Sequence, residues 1–289
     1  MRAIIGLLTA AAAVAITGFT VTESDGNGEG NSAAPPSAQA GPSVSLVRLD
    51  CGSAEFKDMN GFFSDRPGVY PAGGGQVTDS CYLIRHADHQ MIWDTGFPAK
   101  LKGGSMTMGQ MTARLTTTLA EQLGQLGLKP ADIDVVGISH MHGDHTGQAA
   151  EFPQARLVVG KGDFEQTAGK DDPFGPWRKE GANLTLATGD VDIFGDGSVV
   201  AMHMPGHTPD HLVLLVKLKS GPVLLSGDLY HSIIAREKRS MPGFNTDKAQ
   251  TLASMDKFEA LAKQLGAKVV IQHEPADIAK LPVFPQAAE

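Results

Sequence analysis

Short apolar runs, each bounded by polar residues or glycine, recur along most of the chain and are typical of β-strands. They predict strands at residues 44–49, 80–85, 90–93, 133–138, 156–159, 190–194, 198–204, 211–218, 222–225 and 268–272. Apolar residues at helical spacing predict long amphipathic helices at 112–126 and 247–265, with shorter helices at 147–151 and 161–168. This order of elements suits two packed sheets with helices outside them.

Three segments lack a clear periodicity of apolar residues. Residues 56–75 are too irregular for a core element and too apolar for a plain linker. They form either a lid or substrate-facing loop, or an excursion that packs on the surface. Residues 100–110, which are rich in glycine and methionine, are predicted to be mobile, and residues 169–181 form a loop interrupted by proline.

The N-terminal region has a different composition. Arg2 precedes an apolar stretch, which predicts a secretory signal in residues 1–21. Residues 22–42 are rich in Gly, Ser, Ala and Pro and predict a disordered linker. The chain is cleaved at an Ala-x-Ala site at 38–40, or it keeps a weak membrane anchor, since the apolar run is slightly short for a spanning helix. In both cases residues 43–289 are expected to be exported, to the periplasm or outside the cell.

Composition narrows the classes of function. The 289 residues are 42% hydrophobic, which supports a substantial core, and we see no domain boundary after residue 43. The net charge is −8 without any basic run, which argues against a nucleic-acid partner. Export would permit a disulfide between Cys51 and Cys81, although two buried thiols fit the sequence equally well.

The densest group of candidate metal ligands directly follows a predicted buried strand. Residues 140–145 read His-Met-His-Gly-Asp-His. His140 and His142 are two apart and point the same way in an extended segment. Asp144 and His145 follow a glycine, where the chain can turn, so they can face a different point. One loop can therefore serve two metal ions, and imidazole with carboxylate suits zinc or a similar first-row metal.

Three strand ends downstream carry further metal-competent side chains. A Pro-Gly turn presents His207, whereas the rivals His203 and His211 could simply pack at their strands. Asp228 follows the strand 222–225, and its two carboxylate oxygens can bridge two cations. His273 directly follows the last predicted strand, 268–272.

Together these motifs resemble the metallo-β-lactamase superfamily over roughly residues 43–289. The resemblance rests on HMHGDH (140–145), PGHTPDH (205–211), SGD (226–228) and QHE (272–274), supported by DTG (94–96). It implies a four-layer αββα sandwich with two metals, expected to be Zn²⁺, at one edge. It also implies that His140, His142 and His207 hold the first metal, that Asp144, His145 and His273 hold the second, and that Asp228 bridges them.

Within the superfamily, the chain looks most like the N-acyl-homoserine lactonases, through RLDCG, DSCYLIRH, WDTG, SGDLYH and QHEPAD. Related β-lactamases generally lack the bridging aspartate, and glyoxalase-II-like thioesterases append a helical domain for which too few residues remain after His273. Nuclease branches usually carry an extra domain or a basic exosite. The alternatives are a β-lactam hydrolase, another lactone or ester hydrolase, and a metal-binding module without activity.

One position departs from the lactonase pattern. Better-known lactonases have a tyrosine three residues after the bridging aspartate, where it contacts the substrate carbonyl. Here that position is His231, and Tyr230 stands one residue earlier. An imidazole could donate the same hydrogen bond, or the change could mark a different ester or lactone.

The resemblance implies hydrolysis of a small-molecule lactone. A hydroxide shared by two metals would attack the lactone carbonyl. His231 or Tyr230 would polarise that carbonyl, and Asp144 would protonate the leaving ring oxygen. The acyl-chain wall is expected to include Phe62, Phe63, Met106, Met108, Phe174 and Trp177.

Overall fold

The computed structural model describes residues 43–169 and 171–289. The signal predicted for residues 1–21 and the linker predicted for residues 22–42 lie outside the described residues. The described residues belong to one compact unit. None of their helices is both long enough and apolar enough to cross a membrane.

Two sheets form the centre of the molecule. The first has eight strands: β1 Val44–Phe56, β2 Gly75–His86, β3 His89–Trp93, β4 Ser105–Met108, β5 Met111–Arg114, β6 Val135–Gly137, β7 Arg156–Gly160 and β8 Leu184–Ala187. Their spatial order is β4-β5-β1-β2-β3-β6-β7-β8. The second has five: β9 Val191–Asp192, β10 Val199–His203, β11 Leu212–Leu218, β12 Gly221–Leu225 and β13 Lys268–Val270. Their order is β13-β12-β11-β10-β9.

Seven α-helices accompany the sheets in the described part of the chain. They are α1 Met59–Phe63, α2 Leu119–Gln125, α3 Gly143–Thr146, α4 Lys161–Gln166, α5 Ile233–Lys238, α6 Lys248–Leu265 and α7 Pro275–Ile278. Short 3₁₀ turns lie at Ala99–Leu101, Pro130–Asp132, Ala149–Glu151, Gly175–Trp177 and Gly227–Leu229.

Side chains that alternate along the strands separate the layers. In β2, Tyr82 and Ile84 pack between the sheets, whereas Cys81 and Leu83 belong to the cluster on the other face, as the two-residue period of a strand requires. Helices α2 and α4 contribute to that outer cluster, and α6 covers the outer face of the second sheet. The predicted four-layer αββα sandwich is therefore confirmed.

The helix predicted for residues 112–126 is wrong in its first half. Residues Met111–Arg114 form β5, which pairs with β1 and β4. The helix begins at Leu119 because Thr118 caps it: the Thr118 hydroxyl accepts a hydrogen bond from the Glu121 N–H, and the Glu121 carboxylate accepts one from the Thr118 N–H. The sequence pattern also missed β8, α5 and α7, and it missed β4, which lies in the segment 100–110 that was predicted to be mobile.

A disulfide joins Cys51 in β1 to Cys81 in β2. Its sulfur atoms lie in the cluster between the first sheet and its helices. Of the two alternatives that the sequence left open, the structure therefore has the disulfide.

Candidate metal centre

The histidine loop follows β6 and runs into α3. His142 precedes the helix, and Asp144 and His145 lie in its first turn. The loop after β3 holds this turn in place, because the N–H and hydroxyl of Thr95 donate to the His145 carbonyl at 2.7 and 2.9 Å. Gly147 lies against the same loop, and a Cβ there would come within 2.3 Å of the Pro98 nitrogen. Close packing against the DTG segment therefore requires glycine at this position.

The first cluster of ligand atoms combines three imidazoles with the carboxylate of Asp228. The Nε2 atoms of His140 and His207 lie 2.9 and 3.1 Å from Nδ1 of His142. Both Nε2 atoms also lie 3.5 Å from Oδ2 of Asp228. These four residues form one group whose ligand atoms could surround a single ion.

The second cluster consists of Asp144, His145 and His273. Each imidazole Nε2 lies 3.9 Å from an oxygen of Asp144. The same two Nε2 atoms lie 3.3 and 2.9 Å from Oδ1 of Asp228. Asp228 thus directs one oxygen to each cluster, the arrangement that a bridging carboxylate needs.

The donor set fits two divalent cations. Nε2 of His145 and Oδ1 of Asp228 are buried, and their close contacts lack hydrogen-bond geometry, so neither atom has a hydrogen-bond partner among the described residues. Buried polar atoms without partners are rare in proteins, and atoms that converge on one point are explained by a bound ion. Two clusters of imidazole and carboxylate therefore define two candidate metal positions.

Hydrogen bonds to residues outside the two clusters orient the ligand imidazoles. Nδ1 of His145 lies 3.0 Å from Oδ2 of Asp94, and Nδ1 of His273 lies 2.8 Å from the Thr78 carbonyl. Nδ1 of His207 lies 2.8 Å from Oδ1 of Asn245. An N–H donated from Nδ1 leaves the Nε2 lone pair free to bind a metal.

Asp94 is the most connected of these partners. Besides His145, it accepts hydrogen bonds from the backbone N–H and hydroxyl of Ser139 and from the Gln272 amide. Its φ of +57° lies in the left-handed region, which non-glycine residues rarely adopt. The sequence analysis included Asp94 only as part of the DTG motif. Its position directly after a predicted buried strand could have indicated a role at the site.

The electrostatics of the cluster suit ligands of a cation. Burial lowers the pKa of His140 and His207 well below the ordinary histidine value, so both are neutral. Burial opposes ionisation of Asp228, but the surrounding imidazoles, His231 first, hold the pKa of this carboxyl well below its usual range. Burial opposes protonation of His145 and His273, but Asp228 raises the pKa of His145 well above the ordinary histidine value and that of His273 to about 9. Because neutral imidazoles and ionised carboxylates are the forms that bind metals, a cation in the second cluster would have to displace these protons.

The two rivals of His207 lie outside both clusters. Nε2 of His203 lies 2.7 Å from Oδ1 of Asp210. His211 is buried, and its Nε2 accepts a hydrogen bond from the Asp228 backbone N–H at 3.0 Å. His211 therefore fixes the chain that carries the bridging carboxylate, a role that the sequence did not suggest.

A second missed residue is Asp163 at the start of α4. Its Oδ1 accepts from the Met141 N–H at 3.1 Å, and its Oδ2 accepts from the Asp210 N–H at 2.8 Å. It therefore joins the histidine loop to the loop that carries His207. The sequence offers no signal for this role, because both contacts are between distant segments.

His231 and Tyr230 point in different directions. His231 lines the cavity beside the clusters, with Nε2 3.0 Å from Oδ2 of Asp228 and its ring against Phe63. The Tyr230 hydroxyl instead donates to Oε1 of Glu259 on α6, and its ring packs in the outer cluster of the second sheet. The expected catalytic role of Tyr230 is therefore not supported by its position.

A cavity of about 440 Å³ opens onto the clusters. Most of its wall is apolar, and Phe62 and Phe63 of α1 and Met106 and Met108 of the β4–β5 hairpin contribute to it as expected. Met111 and Phe244 complete this part of the wall. The same expectation is wrong for Phe174 and Trp177, which are buried in the cluster between the first sheet and its helices.

The fold and the paired ligand clusters define a metal-dependent hydrolase. A model of the metallo-beta-lactamase superfamily matches residues 74–273, and the chain belongs to this superfamily. The N-acyl homoserine lactonase AttM of Azorhizobium caulinodans is 35% identical over 212 residues, which cover 67% of this chain and 81% of that protein.

Solved structures agree on the fold. A quorum-quenching N-acyl homoserine lactone hydrolase superposes with a TM-score of 0.73 at 21% identity, over 86% of this chain and 99% of that one. AidC, a dizinc quorum-quenching lactonase, superposes with a TM-score of 0.60 at 18% identity, over 84% of this chain and 89% of its own.

Proposed function

We propose that this protein hydrolyses the lactone ring of N-acyl homoserine lactones and thereby quenches quorum signals. The observation that carries the proposal is the direct opening of an apolar cavity onto two ligand clusters that share Asp228. The polar lactone ring would bind at the ligand clusters, and the acyl chain would lie along the apolar wall of the cavity. The lactonases among the relatives support the same substrate class.

His140, His142 and His207 would hold one cation, and Asp144, His145 and His273 the other, with Asp228 between them. Zn²⁺ suits this set of imidazole and carboxylate ligands. When bound, such ions would make a water molecule acidic enough to serve as the nucleophile for lactone hydrolysis near neutral pH. His142, Asp144, Asp228 and His273 line the cavity, so the lactone ring would bind beside both clusters.

Two side chains would assist the reaction. His231 lies beside Asp228 at the cavity wall and would donate an N–H to the carbonyl oxygen as negative charge develops on it. Asp144 is the most exposed ligand of its cluster and faces the cavity. Its carboxylate would pass a proton to the departing ring oxygen, so that one water is added and a hydroxy acid leaves.

We also propose that the protein is exported, through a signal in residues 1–21. It would then be either cleaved at the Ala-x-Ala site at 38–40 or weakly anchored through residues 1–21. The Cys51–Cys81 disulfide supports this location, because disulfides persist in oxidising compartments. Fractionation of the native host, with N-terminal sequencing of the mature protein, tests this proposal. A reduced protein with an intact N-terminus in the cytoplasmic fraction would contradict it.

The purified protein should be assayed against an N-acyl homoserine lactone, a simple γ-lactone, a penicillin, a carbapenem and a glutathione thioester. We expect turnover of the lactones, with Asp228→Asn as the inactive control. Hydrolysis of the β-lactams without hydrolysis of the lactones would replace the proposal by its first alternative. Metal binding without turnover of any compound would indicate a binding module.

A further inference from the structure

Asp79 in β2 is a buried carboxyl that takes no part in either ligand cluster. The residue is only 3% exposed, and neither carboxyl oxygen has a hydrogen-bond partner among the described residues. It lines the same cavity as Asp144, Asp228 and His231. An unpartnered carboxyl in the wall of the active-site cavity needs an explanation.

The fold leaves Asp79 without a partner for local reasons. Its neighbour across the β1–β2 ladder is Gly52, which has no side chain to offer, and a β-bulge in β1 adjoins that pair. Val77, two residues earlier on the same strand, and Phe97 line the same cavity, and their side chains cannot hydrogen-bond. Burial raises the pKa of Asp79 well above its ordinary range, although His145 and His273 oppose this effect. The position therefore destabilises the free protein.

The proposed substrate carries a matching group. In an N-acyl homoserine lactone, the amide nitrogen is attached to the ring carbon next to the lactone carbonyl, and the acyl chain begins beyond the amide. With the ring at Asp228 and the chain along the apolar wall, the amide would lie between them, in the cavity that Asp79 also lines.

We propose that Asp79 accepts a hydrogen bond from the amide N–H of the substrate and so selects lactones that carry an α-amido group. This inference rests on the proposed lactonase function. A carboxyl oxygen accepts such a bond whether the group is ionised or neutral. Sites built to bind a polar group discriminate strongly against analogues without it, because the buried protein group then stays unpaired.

Water is the competing partner. A second cavity of about 380 Å³ also touches Asp79 and Thr78, and it is lined by polar residues that include Arg48 and Gln122. If Asp79 served only to hold water from that side, it would not distinguish one lactone from another. Substrate selectivity therefore separates the two roles.

The test compares N-decanoyl homoserine lactone with α-decanoyloxy-γ-butyrolactone, which has the same ring and chain but an ester oxygen in place of the N–H. The readout is kcat/KM for the amide compound divided by kcat/KM for the ester compound, each measured from the ring-opened product. In Asp79→Ala the ratio should fall by roughly 10- to 100-fold, the range for a hydrogen bond to a charged or buried group. Asp79→Asn should keep most of the ratio, because its carbonyl oxygen still accepts.

The controls separate this role from a structural one. Asp79→Ala should melt no lower than the wild type, since it removes a group without a partner, and Thr78→Val should keep the ratio. An unchanged ratio in Asp79→Ala, an equal loss on both compounds, or a lost ratio in Thr78→Val instead would each overturn the inference. If the wild type opens neither ring, the proposed function itself fails.

Discussion

Both ligand clusters depend on Asp228, since its two oxygens lie near different sets of imidazoles. Asp228→Asn keeps the volume of the side chain but removes the negative charge between two cations. We expect fewer than two metals per chain by elemental analysis, and a loss of activity beyond the roughly 10- to 100-fold that follows loss of an outer partner.

Asp196→Asn is the matched control for this change. Asp196 accepts hydrogen bonds from Ser198 and pairs with His86, but it belongs to neither ligand cluster. Its substitution should leave metal content and rate near those of the wild type. Two metals and a wild-type rate in Asp228→Asn would refute the bridging role.

The position of His231 allows two roles that a mutation can separate. If His231 donates to the substrate carbonyl, His231→Ala should keep the metal content and lower kcat by roughly 10- to 1,000-fold, the scale of a lost oxyanion donor. His231→Tyr should then recover more activity than His231→Phe, which restores no donor. If His231 instead serves to hold Asp228, from which it lies 3.0 Å away, His231→Ala should lose metal.

Tyr230→Phe tests the neighbouring residue. Because the Tyr230 hydroxyl bonds to Glu259 away from the cavity, kcat should not change. The free energy of unfolding should fall by about 1 kcal/mol, the usual value of one hydrogen bond. A large loss of kcat with unchanged stability would instead return the carbonyl contact to Tyr230.

At the scale of elements, Asp163 connects two ligand-bearing loops. Asp163→Ala should loosen both loops and weaken metal binding by roughly 10- to 100-fold, as for other outer partners. Competition with a chromophoric chelator measures the affinity. Glu165→Ala on the same helix is the control, since Glu165 is exposed and pairs only with Lys161 among the described residues. Equal affinities in the two variants would show that α4 has no such role.

The strand ends were predictable from the sequence, because buried strands are short apolar runs and the ligands directly follow them. The same pattern, together with the family motifs, was enough to place His140, Asp228 and His273 at one edge of the fold. Asp163 and His211 could not be assigned in this way, because their partners are distant in sequence, and the PGHTPDH motif that ends in His211 does not by itself reveal a contact with the Asp228 backbone. Phe174 and Trp177 were misplaced because an apolar residue in a loop has the same signal in a core as in a cavity.

Helix capping also explains where α2 begins, which hydrophobic periodicity predicted wrongly. Apolar spacing favoured a helix from residue 112, but residues 111–114 gain ladder hydrogen bonds to two neighbouring strands. The Thr118 and Glu121 capping pair then sets the start of α2. This pair was visible in the sequence, whereas the strand pairing that competes with the helix was not.

At the scale of the whole molecule, the site lies where the two sheets meet. The histidine loop follows a strand of the first sheet, whereas His207, Asp228 and His273 follow strands of the second. Cations held by both sets would therefore join the sheets as well as serve catalysis. Bound metal should thus contribute to the stability of the entire fold.

Removal of metal tests this coupling. A ligand that binds only the folded state stabilises it by about 2.7 kcal/mol when its free concentration is a hundredfold above Kd. Chelation should therefore lower Tm by several degrees and abolish lactone hydrolysis, and added Zn²⁺ should restore both. Asp228→Asn, which is expected to bind less metal, should show a much smaller shift in Tm on chelation. If chelation abolished activity but left the wild-type Tm unchanged, the ions would serve the chemistry without joining the two sheets.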